Sequence, residues 1–254
     1  DLNQEIATNL LEMGATWAES PKIATEGNEV IFTSLPGPRE VEAVAHARGV
    51  EVAAILDLEE VAQREDALAT LREVDVAIEF TEPEAALENI QLCLEAGCPI
   101  VVGTTGWHES LDDVRQMVTE SDGALLWAPN FSTGVALLKA LLEHAGQLLR
   151  GIEGFELHMT ETHHAAKKDA PSGTALHLAE TLATSGHEIP ITSVRLGNVP
   201  GQHTVHIDGA YEQVILSHEA RNRGVFADGA VTAAIWLTGR TGVFTMDDVM
   251  GLVQ

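Results

Sequence analysis

Residues 74–103 read VDVAIEFTEPEAALENIQLCLEAGCPIVVG, and this stretch decides the fold class. VDVAIEF is a short β-rich run, PEAALENIQLCLEAG carries its apolar residues in a helical pattern, and CPIVVG is a second β-rich run. A strand, a helix and a strand in succession make a βαβ crossover, whose strands lie parallel in one sheet. In such sheets ligands bind at the carboxyl ends of the strands. The pattern extends in both directions. NEVIFTS, VEVAAILD and ALLWAPN read as further strands, and PREVEAVAHAR, EEVAQREDALATLRE and HESLDDVRQMVTES as further helices. The alternation runs from about Glu29 to Asn130.

After Asn130 the pattern changes. FSTGVALLKALLEHAGQLL predicts a long amphipathic helix with Ser132 as its N-cap. FELHMTE alternates Phe155, Leu157 and Met159 in strand fashion, and ALHLAETLATSG places Ala175, Leu178, Ala179 and Leu182 at helical spacing with Gly186 as the stop. HTVHIDGAYEQVILSHEA reads as a hairpin turning at Asp208-Gly209. A last helix, VFADGAVTAAIWLTG, closes on Gly239. The tail, RTGVFTMDDVMGLVQ, is too short for a domain and is expected to pack back on the first. The fold class is α/β: a Rossmann-like parallel sheet domain over residues 1–130 plus 240–254, with an inserted α+β domain for substrate binding and oligomerisation over 131–239.

Composition bounds the function. A chain of 254 residues, 45% of them hydrophobic, can bury a substantial core. Its 39 acids against 14 Lys plus Arg give a formal net charge of −25, which argues against nucleic acid or an anionic membrane as partner. Only four lysines occur, and so acidic, lysine-poor a surface points to adaptation to high salt. No apolar run reaches the roughly 18 to 20 residues of a membrane span. DLNQEIATNL lacks the basic, then apolar character of a signal peptide, so a cytoplasmic location is expected. Cys93 and Cys98 have a spacing that fits neither a redox pair nor a zinc knuckle, and they read as reduced, buried thiols.

Two of the four lysines fall in one stretch, residues 161–175, ETHHAAKKDAPSGTA. It lies between the strand FELHMTE and the helix ALHLAETLATSG, so the turn ends at a helix N-terminus. Unpaired backbone N–H groups there, beside Ser172, Gly173 and Thr174, are suited to a carboxylate or phosphate. Gly173 lets an anion approach the backbone, and Pro171 stiffens the entry. Just upstream, His163 supplies a proton donor and Lys167 a fixed positive charge.

This stretch resembles the signature of the 4-hydroxy-tetrahydrodipicolinate (dihydrodipicolinate) reductase family, E-x-H-H-x-x-K-x-D-A-P-S-G-T-A, with every fixed position present. EFTEPEAALENIQLCLEAGCPIVVGTTGW, APNFSTGVALL, VPGQHTVHIDGAYEQVILSHEARNRGVFADGAVTAAIW and TGVFTMDDVMGL are similar to the same family, in its order, over about residues 49–254. The resemblance implies NADPH- or NADH-dependent reduction of a cyclic dicarboxylic intermediate in the diaminopimelate route to lysine. His163 would be the general acid and Lys167 its cationic partner, while His164, Ser172, Gly173 and Thr174 would hold the substrate carboxylates. It further implies cofactor contacts from Phe80, Thr81, Gly103, Thr104, Thr105, Ala128, Asn130 and Phe131, with no metal and a homotetramer built from the substrate domains. Asp57, ending VEVAAILD, stands where an acid would meet the adenosine ribose, and Trp107 could border the cofactor.

The first 48 residues depart from that family, which opens with a strand, a glycine-rich turn and a helix. Here the corresponding turn is SLPGPRE, with Gly37 between two prolines that donate no N–H, although Arg39 could touch a phosphate. Residues 9–44 instead resemble a segment of β-hydroxyacid dehydrogenases, whose later catalytic features the chain lacks. Two readings follow: an active reductase, or a catalytically silent homologue that keeps a dicarboxylate-binding or assembly domain. His203, His206 and His218 on the expected hairpin read as exposed strand residues rather than metal ligands. Arg221 and Arg223 read as balancing acidic neighbours.

Overall fold

The computed structural model describes residues 30–34 and 38–252. These divide into two compact units: the first holds the described residues up to Leu126 with Ala234–Val243, the second Trp127–Ala233 with the described residues from Phe244 onward.

The first unit is built on strands β1 (Val30–Ser34), β2 (Val52–Leu56), β3 (Val76–Phe80), β4 (Ile100–Val102) and β5 (Ala124–Trp127), with β10 (Gly242–Phe244) at one edge. The sheet order is β10-β5-β4-β3-β1-β2. The pairs β1·β2, β1·β3 and β3·β4 are parallel. Helices α1 (Pro38–Ala47), α2 (Leu58–Ala62), α3 (Arg64–Leu71), α4 (Pro83–Ala96) and α5 (Leu111–Glu120) connect the strands. From β1 the chain moves outward to β2, then returns to β3 on the other side of β1. The strand order therefore reverses between β1 and β3, where an open parallel sheet leaves a ligand crevice outside its carboxyl ends.

Local chemistry explains the central crossover. β3 is buried along nearly its whole length, as a strand covered on both faces must be. α4 begins with Pro83, whose missing N–H costs nothing in a first turn, and stops at Gly97 in the left-handed region. Cys93 and Cys98 are buried free thiols, and their mutual hydrogen bond, with burial, pushes the Cys93 thiol well above its ordinary range. The helix expected over residues 59–73 is instead two helices, because Gln63 leaves helical geometry at φ −90°, ψ 67°.

In the second unit, helices α6 (Thr133–Leu149) and α7 (Gly173–Leu182) pack with a four-stranded sheet ordered β7-β6-β8-β9. These strands are β6 (Phe155–His163), β7 (Ile191–Arg195), β8 (Gln202–Gly209) and β9 (Gln213–Glu219). β7 runs parallel to β6, β8 antiparallel to β6, and β9 antiparallel to β8. Ser132 and Ser172 cap the two helices, accepting from the N–H groups of Val135 and Ala175. Leu138, Leu142, Leu178 and Leu182 meet Leu157, Met159, Val205 and Ile207 in the core.

Three sequence expectations are corrected here. The hairpin does not turn at Asp208-Gly209: Asp208 pairs with Gln213, Gly209 donates to the Glu212 carbonyl at 2.8 Å, and the turn is Ala210-Tyr211-Glu212. The tail is shared, since β10 edges the six-stranded sheet while α9 (Met246–Val249) lies against α6, where Lys139 and Asp247 form an ion pair. Finally, His203 is not exposed. It alternates inward with Val205 and Ile207 and is only 3% accessible; His206 and His218 are half-buried. β7 was not recognised in the sequence. A helix α8 (Gly224–Leu237) precedes β10.

Candidate active site

At the carboxyl ends of β3 and β4, one carboxylate organises the chain. Glu79, next to last in β3, is fully buried, an acidic residue inside an apolar strand. Its Oε1 accepts from the Thr104 hydroxyl at 2.9 Å and from the Thr81 hydroxyl, while Oε2 is buried with no hydrogen-bond partner among the described residues. Thr104 Oγ1 in turn accepts the Thr81 N–H at 2.7 Å, and Asn89 donates to Thr81 Oγ1 at 3.3 Å. Trp107 is buried, with its indole N–H on the Thr104 carbonyl at 2.8 Å. Gly103 donates to the Glu79 carbonyl, and a Cβ there would fall 2.0 Å from the Phe80 ring.

The structure thus brings Phe80, Thr81, Gly103 and Thr104 together at the carboxyl ends of β3 and β4, with Thr105 exposed beside them. Asp57 lies just past β2, exposed, its N–H on Glu60. Ala128, Asn130 and Phe131 belong to the second unit, where Asn130 accepts from the Ser132 N–H and donates to Thr174 Oγ1 at 3.2 Å. Residues Leu35 to Gly37 of the SLPGPRE turn and the side chain of Arg39 lie outside the described residues.

In the second unit the stretch 161–175 runs from the end of β6 to the start of α7. Alternation along β6 sends Leu157, Met159, Glu161 and His163 to the same buried face, apolar at first and polar at the end. Strand register adds the rest: Arg195 of β7 is opposite His163, His203 of β8 is opposite Glu161, and His218 of β9 is opposite His203. Glu161 is completely buried. Its Oε2 is 2.5 Å from His163 Nδ1, and Arg195 donates to Oε2 at 3.0 Å and to Oε1 at 2.8 Å. The Ser172 N–H, at the start of α7, points at Oε1 from 3.3 Å.

Burial alone would raise the Glu161 carboxyl, but hydrogen bonds from Arg195, Ser193 and His163 outweigh it and hold it at about 2. His203 sits edge-on to His163 with ring centroids 5.2 Å apart, and its Nε2 meets the Ser172 hydroxyl at 3.4 Å. Burial, with His163 and His218 nearby, pushes it down to about 4, so it is neutral in the neutral range. The far edge of His163, Nε2, faces Gly201, where a Cβ would stand 3.1 Å away.

Around this core, Lys167 pairs with Asp169 at 2.8 Å and holds that carboxyl below its usual value. His164 and Thr174 are half-buried and Gly173 is exposed at the helix start. His163, His164, Lys167, Ser172, Gly173 and Thr174 lie between the end of β6 and the first turn of α7. Sequence reading missed Glu79, Glu161, Arg195 and His203. Two of these carried a signal: Glu79 breaks an apolar strand, and Glu161 stands two residues from His163, hence on its face. Arg195 and His203 reach the site only through strand pairing. Among the described residues no group of three or more His, Cys, Asp or Glu side chains could hold a metal ion.

Residues 37–131 match the N-terminal, and residues 134–250 the C-terminal, domain profile of dihydrodipicolinate reductase. The chain belongs to the dihydrodipicolinate reductase family. A 4-hydroxy-tetrahydrodipicolinate reductase of Christiangramia forsetii is 38% identical over 191 residues, covering 70% of this chain and 80% of the relative. The Chromobacterium violaceum reductase is 39% identical over 211 residues, 74% of this chain and 77% of its own. A dipicolinate-bound dihydrodipicolinate reductase from Paenisporosarcina sp. TG-14 shares the fold, with a TM-score of 0.71 at 22% identity over 86% of this chain and 97% of that one. Both family matches begin at or after residue 37, so most of the stretch likened to β-hydroxyacid dehydrogenases precedes them.

Proposed function

We propose that this chain reduces 4-hydroxy-tetrahydrodipicolinate to tetrahydrodipicolinate with NADH or NADPH, in the diaminopimelate route to lysine. The observation that carries the reading is the buried Glu161–His163 pair at the N-terminus of α7: a proton donor held by a carboxylate that also accepts from the Ser172 N–H. Membership of the reductase family through both domains supports it. The silent-homologue alternative finds no support, since the curated relatives that match the chain are 4-hydroxy-tetrahydrodipicolinate reductases.

In this reading the first unit binds the dinucleotide, and the second binds substrate and mediates assembly into a homotetramer. The first unit fits a nicotinamide cofactor: Gly103 lets its backbone lie against the Phe80 ring, and the Glu79-bound hydroxyls of Thr81 and Thr104 stand at the carboxyl ends of β3 and β4. Thr105, Ala128, Asn130, Phe131, Asp57 and Arg39 are assigned to the same cofactor. When bound, the cofactor supplies a hydride.

The chain's own residues then handle charge and proton. Lys167, His164, Ser172, Gly173 and Thr174 attract and orient a small dicarboxylate, through the lysine's charge and the helix N-terminus. In so acidic a chain, with a formal net charge of −25, this local cation offsets the repulsion a dianion meets elsewhere. The 4-hydroxyl leaves as water, and His163 donates its Nε2 proton to the atom that gains electrons from the hydride while its Nδ1–H stays hydrogen-bonded to Glu161.

The test is nicotinamide oxidation at 340 nm with freshly generated substrate, in low and molar salt. Turnover with either nucleotide is expected, falling about 100- to 10,000-fold in His163→Ala. No turnover in either salt overturns the assignment.

A further inference from the structure

We propose that Glu161 is the positioning residue of this site: through one carboxylate it fixes the tautomer and orientation of His163 and ties the proton donor to the anion-binding start of α7. The inference rests on His163 being the proton donor.

Stability does not explain this carboxylate. Leu157 and Met159 occupy the two preceding inward positions of β6, and an apolar residue could fill the third. A buried ion pair such as Glu161–Arg195 gives little net stability over well-packed hydrocarbon, because desolvation consumes the attraction. What an apolar residue cannot do is accept hydrogen bonds from two directions. An ionised carboxylate only accepts, so the short contact to His163 obliges Nδ1 to carry the proton. The ring can then exchange a proton only through Nε2, the edge turned toward side-chain-free Gly201.

Arg195 keeps the carboxylate from rotating, since it engages both oxygens at once. The same guanidinium also donates to the Asp169 carbonyl, in the loop that carries Lys167. When His163 gives up its Nε2 proton, the electron pair of that N–H bond stays on Nε2. The product is the neutral Nδ1–H imidazole, the form Glu161 still accepts from. No atom of the pair has to move during transfer.

The test is Glu161→Gln, which keeps the shape and removes the obligate acceptor. Saturated turnover, the dissociation constant for dipicolinate and the melting temperature are measured beside wild type and His163→Ala. Turnover is expected to fall at least about 100-fold, as when a catalytic histidine loses its orienting carboxylate, with dipicolinate affinity within about threefold. If turnover stays within threefold of wild type while His163→Ala is inactive, or if turnover and dipicolinate affinity fall together in a variant that melts like wild type, the positioning role is overturned. An active His163→Ala overturns the underlying assignment as well, so the two failures are distinct. Should Glu161→Gln fold poorly, the double variant Glu161→Gln/Arg195→Met removes both charges. It is expected to fold and remain slow; recovery of wild-type turnover in it would also refute the proposal.

Discussion

Arg195 clasps Glu161 from the neighbouring strand, its two terminal nitrogens lying 3.0 and 2.8 Å from the two carboxylate oxygens. Glu161 is inaccessible to water and the arginine side chain nearly so, at 18% exposure. Removing the cation alone leaves a buried charge with too few partners. Arg195→Met is therefore expected to destabilise the protein by about 3 kcal/mol or more, and adding Glu161→Gln should restore most of that loss. Urea unfolding of the three variants measures both; a loss below about 1 kcal/mol in the single variant would contradict the pairing.

The same network sets the response to acid. Glu161 takes up a proton near 2 when folded and near 4.5 when unfolded, so between those values the unfolded chain holds more protons. Its contribution, roughly 3 kcal/mol, is complete above about 4.5 and disappears as pH falls toward 2. His203 behaves alike in a higher window: about 4 folded, 6.5 unfolded, hence stability lost as pH falls from 6.5 to 4. His203→Gln should flatten the stability curve in that upper window, by up to about 1.4 kcal/mol per pH unit, and leave the lower one unchanged. Denaturation midpoints taken from pH 7 down to 3 read the difference.

Two glycines differ in what could yield around them. At Gly229 a Cβ would lie 1.6 Å from the backbone oxygen of Phe131, which cannot swing aside. At Gly103 it would meet the Phe80 ring at 2.0 Å, a side chain that can turn. Gly103→Ala is expected to cost about 1–3 kcal/mol and to raise the NADH dissociation constant about tenfold, whereas Gly229→Ala should cost more and deplete folded protein. Thermal melts of both, with NADH fluorescence titration of the first, give the comparison.

Thr104→Val tests the Glu79 network without changing side-chain shape much. It strips one donor from Glu79 and leaves the Thr81 N–H without its 2.7 Å partner. A loss of about 1–3 kcal/mol is expected from these buried groups. NADH should bind more weakly while dipicolinate affinity is unchanged, as both titrations would show; an unaltered NADH affinity would remove Thr81 and Thr104 from the cofactor site.

How much of this was legible depends on the range of the signal. The crossover from Val76 to Val102 could be read because strand and helix patterns, Pro83 and Gly97 are all local. So could the helix start after Ser172 and the clustering of His163, Lys167 and Gly173 within one loop, though not the cap that Ser172 supplies. The break at Gln63 and the true hairpin turn at Ala210-Tyr211-Glu212 were missed, since backbone dihedrals and ladder register override a two-residue turn preference.

The order of residues along the chain was enough to determine the parallel α/β architecture, the helix start prepared for an anion and the histidine beside it, because each depends on neighbours a few positions apart. The tertiary structure alone decided that Arg195 and His203 stand across from His163 and Glu161, and that Glu79 joins Thr81 to Thr104. Strand register and burial bring together side chains that lie 25 to 42 positions apart in sequence, and only their meeting in a water-free interior makes a buried carboxylate obligatory as an acceptor.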